Sequence, residues 1–369
     1  MRILFFYPVN KRTIPIDIPL FKLQERGHQI FLLTTVPKGP LHDFYEERGA
    51  SVHAMGIEGP QPFKLIRQVI YLIGFCRKHR IDTMHSHLQP SNIVAVLARF
   101  FTSCRVNLFR HHCKYHFLLS KTELKPGKNE ILGDMIINKL ASRIIVPSES
   151  VRNAMIKYEK VPPGKISIIP YIYDFDAMKE IDKSIRDAIK ARYPARLRVI
   201  MVSRLTPYNR HALALKTIID LLDEGFDIQT LVMDEGPEEN HLKKIVKASN
   251  WEEKIHFLGF QQNILEHIAA CDVMLHPSLT EASNSAIKEA GLLEKIAIVC
   301  NEVGDFNDYI SHGKDGYLLD PENFETESDK VLRQIYKDDH LKILGTNLKR
   351  RVTEKFSLSE EIVDRYEAL

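Results

Sequence analysis

The sequence has no paired cysteines, no long apolar run and no internal repeat. Its five cysteines, at 76, 104, 113, 271 and 300, are odd in number and show no CxxC spacing. That excludes a disulfide framework or a zinc ribbon and fits reduced thiols in a cytoplasmic protein. No uncharged apolar stretch approaches the ~18 residues of a membrane-spanning helix. The opening Met1–Pro8 run is short, no small-residue cleavage site follows, and Lys11-Arg12 come after it, so no signal peptide is expected. No low-complexity tract breaks the 369 residues.

Hydrophobic residues make up 44% of the chain, ample for a packed core. The length suits two or three domains of ~100–200 residues each. Charge is uneven along it. Residues 1–170 carry 25 Lys and Arg against 12 Asp and Glu, whereas residues 171–369 carry 26 against 36. A basic half and an acidic half point to two domains with different partners. The basic half suits anionic lipid, an acidic acceptor or nucleic acid. The last is disfavoured, because no aromatic-basic recognition motif accompanies the charge.

Short β-rich runs alternate with amphipathic stretches. Strands are expected at 2–9, 28–35, 51–57, 82–87, 105–111, 143–148 and 165–171. Helices are expected over 64–80, 91–101 and 150–159. After a charged, helical stretch at 174–194, strands resume at 197–205, 227–233, 254–259, 272–278 and 296–300. Continuous apolar strands separated by helices mean a parallel sheet covered on both faces. The expected fold is α/β, with two Rossmann-like doubly wound domains facing a cleft. The N-terminal domain takes 1–171, the C-terminal domain 172–356, and a last helix 357–369 crosses back to the first. Ser357 and Glu360 form a capping-box pattern for that helix. Ligands of open α/β sheets bind beyond the carboxyl ends of the strands.

One segment there carries chemistry. His276-Pro277-Ser278-Leu279-Thr280-Glu281-Ala282-Ser283-Asn284-Ser285 leaves a strand and opens a helix, with Glu289 further along it. Ser283 or Asn284 caps that helix, and its free N–H groups and dipole suit a phosphate or sugar oxygen. On spacing alone, two glutamates on an ordinary capped helix are the commoner explanation.

The order of the surrounding segments decides between the two. Glu281 and Glu289, with seven residues between them and Pro277-Ser278 before them, resemble the E-x7-E motif of retaining GT-B glycosyltransferases, the glycosyl transferases group 1. Val202-Ser203-Arg204-Leu205, Asp234-Glu235-Gly236-Pro237, Phe257-Leu258-Gly259-Phe260 and 312–319 (HGKDGYLL) resemble further family segments in the family's order. The resemblance implies a nucleotide-sugar site in the C-terminal domain. Arg204 would pair with the diphosphate, for which a planar fork of donors is suited. Gly236 would form the tight turn. Glu281 would touch the donor sugar, Ser283, Asn284 and Ser285 the phosphate or sugar, and Glu289 the ribose. Asn209 stands where the family has a lysine. Either the adjacent Arg210 supplies the second charge or the phosphates are held less firmly.

The same resemblance runs through the basic half. Arg26-Gly27-His28 looks like the family's RGH turn, but the loop Val9-Asn10-Lys11-Arg12-Thr13 has none of the family's glycines. Asn10 and Lys11 are assigned to the acceptor side or cleft, with a solvated loop as the alternative for Lys11. His85 and His87 resemble an HxH strand end and are read as a buried, hydrogen-bonded pair shaping the cleft. A histidine beside the donor sugar, with a catalytic role, corresponds to His111, with His112 as the alternative. Zinc held by His111, His112, Cys113 and His116 is disfavoured, because adjacent ligands on a strand point to opposite faces. Asp174-Phe175-Asp176 matches a D-x-D metal motif, but helix capping is preferred there. No metal or cofactor is expected.

The expected function is retaining transfer of a sugar from a nucleoside-diphosphate sugar to an acceptor hydroxyl on a lipid-linked or cell-surface glycan. Lysines at 121, 125 and 128 around Phe117-Leu118-Leu119 and the basic half suggest contact with an anionic membrane surface, at the inner face of the membrane. The alternative is a catalytically silent GT-B protein that binds nucleotide sugar or membrane. An epimerase or phosphorylase on the same fold is a further rival, without the lysine a covalent pyridoxal cofactor needs.

Overall fold

The computed structural model describes residues 1–10, 14–111, 127–176 and 180–369, with residues 14 and 15 described in backbone only. The described residues separate into two compact units, one of 1–111, 127–175 and 356–369 and one of 176–355.

The first unit holds strands β1 (Arg2–Tyr7), β2 (Gln29–Thr34), β3 (Ser51–Ala54), β4 (Thr83–His87), β5 (Arg105–Phe109), β6 (Arg143–Val146) and β7 (Ile166–Ile168). They form one parallel sheet in the order β3-β2-β1-β4-β5-β6-β7. Its described helices are α1 (Ile14–Glu25), α2 (Pro40–Glu46), α3 (Phe63–His79), α4 (Gln89–Ala98), α5 (Lys128–Leu140) and α6 (Glu149–Lys157). Strands β1 and β2 are apolar without alternation; in β1 the residues Ile3, Leu4, Phe5 and Phe6 are all fully buried. A strand covered on both faces requires that pattern. The order reverses between β1 and β4, the place where ligands gather in such sheets.

The second unit holds α7 (Lys183–Arg192), β8 (Leu197–Val202), α8 (His211–Asp223), β9 (Ile228–Met233), α9 (Glu239–Ser249), β10 (Ile255–Gly259), α10 (Ile264–Ala270) and β11 (Val273–His276). It continues with α11 (Ser285–Leu292), β12 (Ile296–Cys300), β13 (Tyr317–Leu319), α12 (Phe324–Lys337) and α13 (Ile343–Phe356). The strands pair in the order β10-β9-β8-β11-β12-β13, again all parallel, with the reversal between β8 and β11. Two Rossmann-like domains are therefore present, as the alternation of elements predicts.

The C-terminal helix α14 (Glu360–Glu367) packs in the core of the first unit through Ile362 and Tyr366, which cluster with Phe5, Leu20 and Ile172. Arg26 holds its outer side through Glu360, Asp364 and Glu367, the last at 2.6 Å. The capping expectation needs correction here. Ser359, not Ser357, caps α14 by accepting from Ile362 N at 3.4 Å. Ser357 lies in extended backbone instead, because Tyr173 N donates to Phe356 O at 2.8 Å and Leu358 N to Tyr173 O at 2.9 Å. Asp182 caps α7, accepting from Ser184 N at 2.9 Å; the residues that follow Asp174-Phe175-Asp176 at 177–179 lie outside the described residues.

One close approach fixes α13 against the turn after α11. A Cβ on Gly345 would lie 2.1 Å from Glu294 O, a backbone atom that cannot swing aside. Gly345→Ala is therefore expected to destabilise the chain by about 1–3 kcal/mol, read as a lowered midpoint in urea. An unchanged midpoint would mean the two segments separate easily.

Candidate functional site

The site of the second unit lies at the carboxyl ends of β8, β9, β11 and β12. Three turns and one helix end meet there. The turn after β8 closes through Asn209, whose Nδ2 donates to Arg204 O at 2.6 Å. Its Oδ1 accepts from Ser278 Oγ at 3.0 Å, which joins this turn to the loop after β11. Gly236 sits where these backbones nearly touch; a Cβ there would be 2.3 Å from Leu205 O. Only glycine allows the turn after β9 to come that close. Arg204 projects from this junction, exposed, and its guanidinium has no partner among the described residues.

Helix α11 begins beside it. Asn284 is the cap, its Oδ1 accepting from Ile287 N at 3.0 Å. Its Nδ2 lies 3.2 Å from Nε2 of His276 at the end of β11, and that same ring nitrogen lies 2.8 Å from Glu281 Oε1. His276 is 1% exposed, so Glu281 is anchored from behind while its side chain stays partly open. Glu281 also packs against Gly304, where a Cβ would come within 2.7 Å of the Glu281 Cβ. The first turn of α11 is thus held open, its N–H groups and dipole directed beyond the strand ends.

Beneath it lies a buried ion pair. Lys288 and Asp305 are 0% and 1% exposed, with Nζ 2.7 Å from Oδ2. Nζ also donates to Ser283 Oγ at 2.9 Å and Asn284 O at 3.1 Å, and Ser283 Oγ donates to Asp305 Oδ2 at 2.7 Å. Burial pushes the Lys288 ammonium pKa down, and Asp305 partly offsets this. Ser283 is therefore engaged by its side chain from below, which leaves its backbone for any ligand. Glu289, next along the helix, is half-buried, and its carboxylate has no hydrogen-bond partner among the described residues. Loss of solvent raises its pKa, with Lys288 acting in the opposite sense. A carboxylate desolvated and unpaired in this way gains by accepting hydroxyl donors.

Two family models match the chain side by side: Glycosyltransferase Family 4 over residues 21–176 and Glycosyl transferases group 1 over residues 182–351. The chain belongs to the group 1 glycosyltransferases. It is 24% identical to the N-acetyl-alpha-D-glucosaminyl L-malate synthase of Bacillus anthracis, covering 94% of this chain and 90% of the relative. It is also 24% identical to the N-acetylgalactosamine-N,N'-diacetylbacillosaminyl-diphospho-undecaprenol 4-alpha-N-acetylgalactosaminyltransferase of Campylobacter jejuni, covering 90% and 88%. Among solved structures, Anabaena Alr3699/HepE in complex with UDP superposes with a TM-score of 0.82 at 18% identity, each chain covered completely. That likeness supports the GT-B fold.

In this glycosyltransferase the structure brings Arg204, Asn209, Gly236, Glu281, Ser283, Asn284, Ser285 and Glu289 to one end of one sheet. Arg210 requires a correction, since its guanidinium is engaged within the protein. Nε donates to Pro277 O at 2.8 Å, Nη1 to Pro321 O at 2.7 Å, and Nη2 lies 3.1 Å from Cys300 Sγ. Residue 210 has φ 50° and starts α8, which aims its side chain into the fold. It ties loops together and is not a second free cation beside Arg204.

In the first unit, His85 and His87 are fully buried, but the hydrogen bonding expected of both fails for His85, whose two ring nitrogens have no partner among the described residues. Burial lowers the His85 pKa to about 3 and holds His87 well below its ordinary value. His87 Nδ1 lies 3.1 Å from His111 Nε2, and His111 Nδ1 lies 2.5 Å from Tyr171 Oη. Both ring nitrogens of His111 are thus hydrogen-bonded within this unit. Its neighbour Arg110 is buried against Asp134 at 3.3 Å and Glu159 at 3.2 Å, which anchors the end of β5. Asn10 accepts from Leu41 N at 3.1 Å and holds the start of α2. Lys11, His112 and the 117–125 segment lie outside the described residues. Among the described residues no cluster of three metal-ligating side chains occurs, and no helix is long and apolar enough to cross a membrane.

Sequence reasoning missed Lys288 and Asp305. Lys288 stands directly beside Glu289 on the helix, so nothing local distinguishes it from a surface charge. Lys288→Met alone leaves Asp305 buried and uncompensated and is expected to cost about 3–5 kcal/mol. Adding Asp305→Asn should restore much of that stability in urea unfolding. A double variant as unstable as the single one would show that the pair's charge is not what matters.

Proposed function

We propose that this glycosyltransferase moves a sugar from a nucleoside-diphosphate sugar to an acceptor hydroxyl with retention of anomeric configuration, the acceptor being a lipid-linked or cell-surface glycan. The observation that carries the reading is the unpaired, desolvated Glu289 on the same helix end as the anchored Glu281. In this reading Glu289 accepts the ribose hydroxyls, and Glu281 with the backbone of 283–285 receives the sugar and its phosphate. Arg204 and the dipole of α11 balance the charge of the departing diphosphate. This work asks for orientation and charge stabilisation, which the residues present supply without assigning a step to a metal or cofactor.

The relatives lend support in two respects. Both carry an alpha linkage in their names; an α product formed from an α-linked diphosphate donor is a retained configuration. The Campylobacter relative is named for a diphospho-undecaprenol acceptor, which supports a membrane-borne acceptor, whereas the Bacillus relative is named for L-malate. The excess of basic residues in 1–170 fits a position against an anionic membrane face. His111, fixed by His87 and Tyr171, is assigned to the donor-sugar side of the reaction.

The donor reading is tested by calorimetry with UDP, one nucleotide the architecture accommodates. Glu289→Ala is expected to weaken binding roughly tenfold or more, as when hydrogen bonds to a charged group are lost. A variant that binds UDP as the parent does would remove Glu289 from the donor site.

A further inference from the structure

Helix α3 has an outer face that the fold leaves unexplained. Its inner side, Gln68, Leu72, Phe75 and Cys76, is buried. On the outer side Phe63, Ile66 and Ile70 are 67%, 53% and 64% exposed, with Tyr71 beside them at 38%. Steps of three and four residues place these side chains in one stripe over two turns. The same side continues through Gly74 to the exposed Arg77 and Lys78. Single exposed apolar residues are ordinary, but a contiguous stripe marks a contact surface.

The charge around the stripe has one sign. From Gly59 to Ile81 there is no acidic residue, while Lys64, Arg67, Arg77, Lys78 and Arg80 are basic. A second apolar group adjoins the basic end. Arg77 Nη2 donates to Phe101 O at 2.9 Å, which places Phe100 and Phe101, each 59% exposed, beside it. The Arg99 guanidinium stacks over the Phe100 ring at 5.0 Å.

We propose that the outer face of α3, together with Phe100 and Phe101, docks in the plane of an anionic lipid bilayer. The apolar stripe enters the boundary between headgroups and acyl chains, and the flanking lysines and arginines meet the lipid phosphates. Charge selects this occupant over a second copy of the chain. A two-fold contact would set this basic face against itself. The inference rests on the reading of a membrane-borne acceptor and specifies the surface that reaches it.

Flotation of the full chain with vesicles tests it without donor or acceptor, so its outcome is separate from that of the transfer reading. The chain is expected to float with an equal mixture of phosphatidylcholine and phosphatidylglycerol and to remain below with phosphatidylcholine alone. Ile66→Ser with Ile70→Ser, and separately Arg67→Glu with Lys78→Glu, should each reduce the bound fraction roughly tenfold. Circular dichroism identifies a variant that fails to fold. The second pair lies on the exposed surface and keeps the proposal testable if the first pair misfolds. No flotation with the anionic vesicles, or flotation unaffected by the folded variants, would overturn it. A dimer in sedimentation that Ile66→Ser with Ile70→Ser makes monomeric would also overturn it, by giving the face to a second copy.

Discussion

The candidate site of the second unit depends on one buried ion pair, Lys288 with Asp305. Two charges withdrawn from water cost much of what their attraction returns, so such a pair adds little to stability. It adds direction. The single ammonium reaches Asp305 on the loop after β12, the Ser283 hydroxyl and the Asn284 carbonyl, all within 3.1 Å. Two segments, 283–288 and the loop that holds Asp305, are thereby set at one point under the first turn of α11. Around that point His276 anchors Glu281, and Asn284 caps the helix. Ser283, Asn284 and the Lys288 ammonium are thus all bonded beneath the open first turn of the helix.

The second unit follows the same economy at its β8 turn. Asn209, in the place of a family lysine, bonds to Arg204 O and Ser278 and so becomes a structural link. Arg210 bonds to Pro277 O, Pro321 O and the Cys300 sulfur. This leaves Arg204 as the exposed cation of the turn. Under the proposed function, the phosphates would be met by one guanidinium and a helix end.

Much of the architecture was legible because parallel strands buried on both faces must be apolar throughout. Runs such as Ile3–Phe6 and Ile296–Cys300 state this directly. β13 escaped notice: at three residues, Tyr317–Leu319, it is too short for any periodicity, and the HGKDG turn before it dominates the signal. The cap of α14 was misplaced by two residues, since nothing local reveals that Tyr173 holds 356–358 extended. Glu281, Asn284 and Glu289 stood out through the order of family-like segments around them, since their spacing alone fits any capped helix, and the structure sets all three at one strand-to-helix crossing. Lys288 with Asp305 was not, because 17 positions separate them and each alone resembles a surface charge. The pairing of His87 with His111 was also hidden, as it joins neighbouring strands rather than neighbouring residues.

On the proposed function, a nucleoside diphosphate binds at the carboxyl ends of β8, β9 and β11, over the first turn of α11. Hydrogen–deuterium exchange of the full chain, with and without UDP, measures this most directly. The account predicts slowed exchange confined to the segments 203–209, 234–238 and 281–290. Slowed exchange elsewhere in the chain with these three segments unchanged would contradict it.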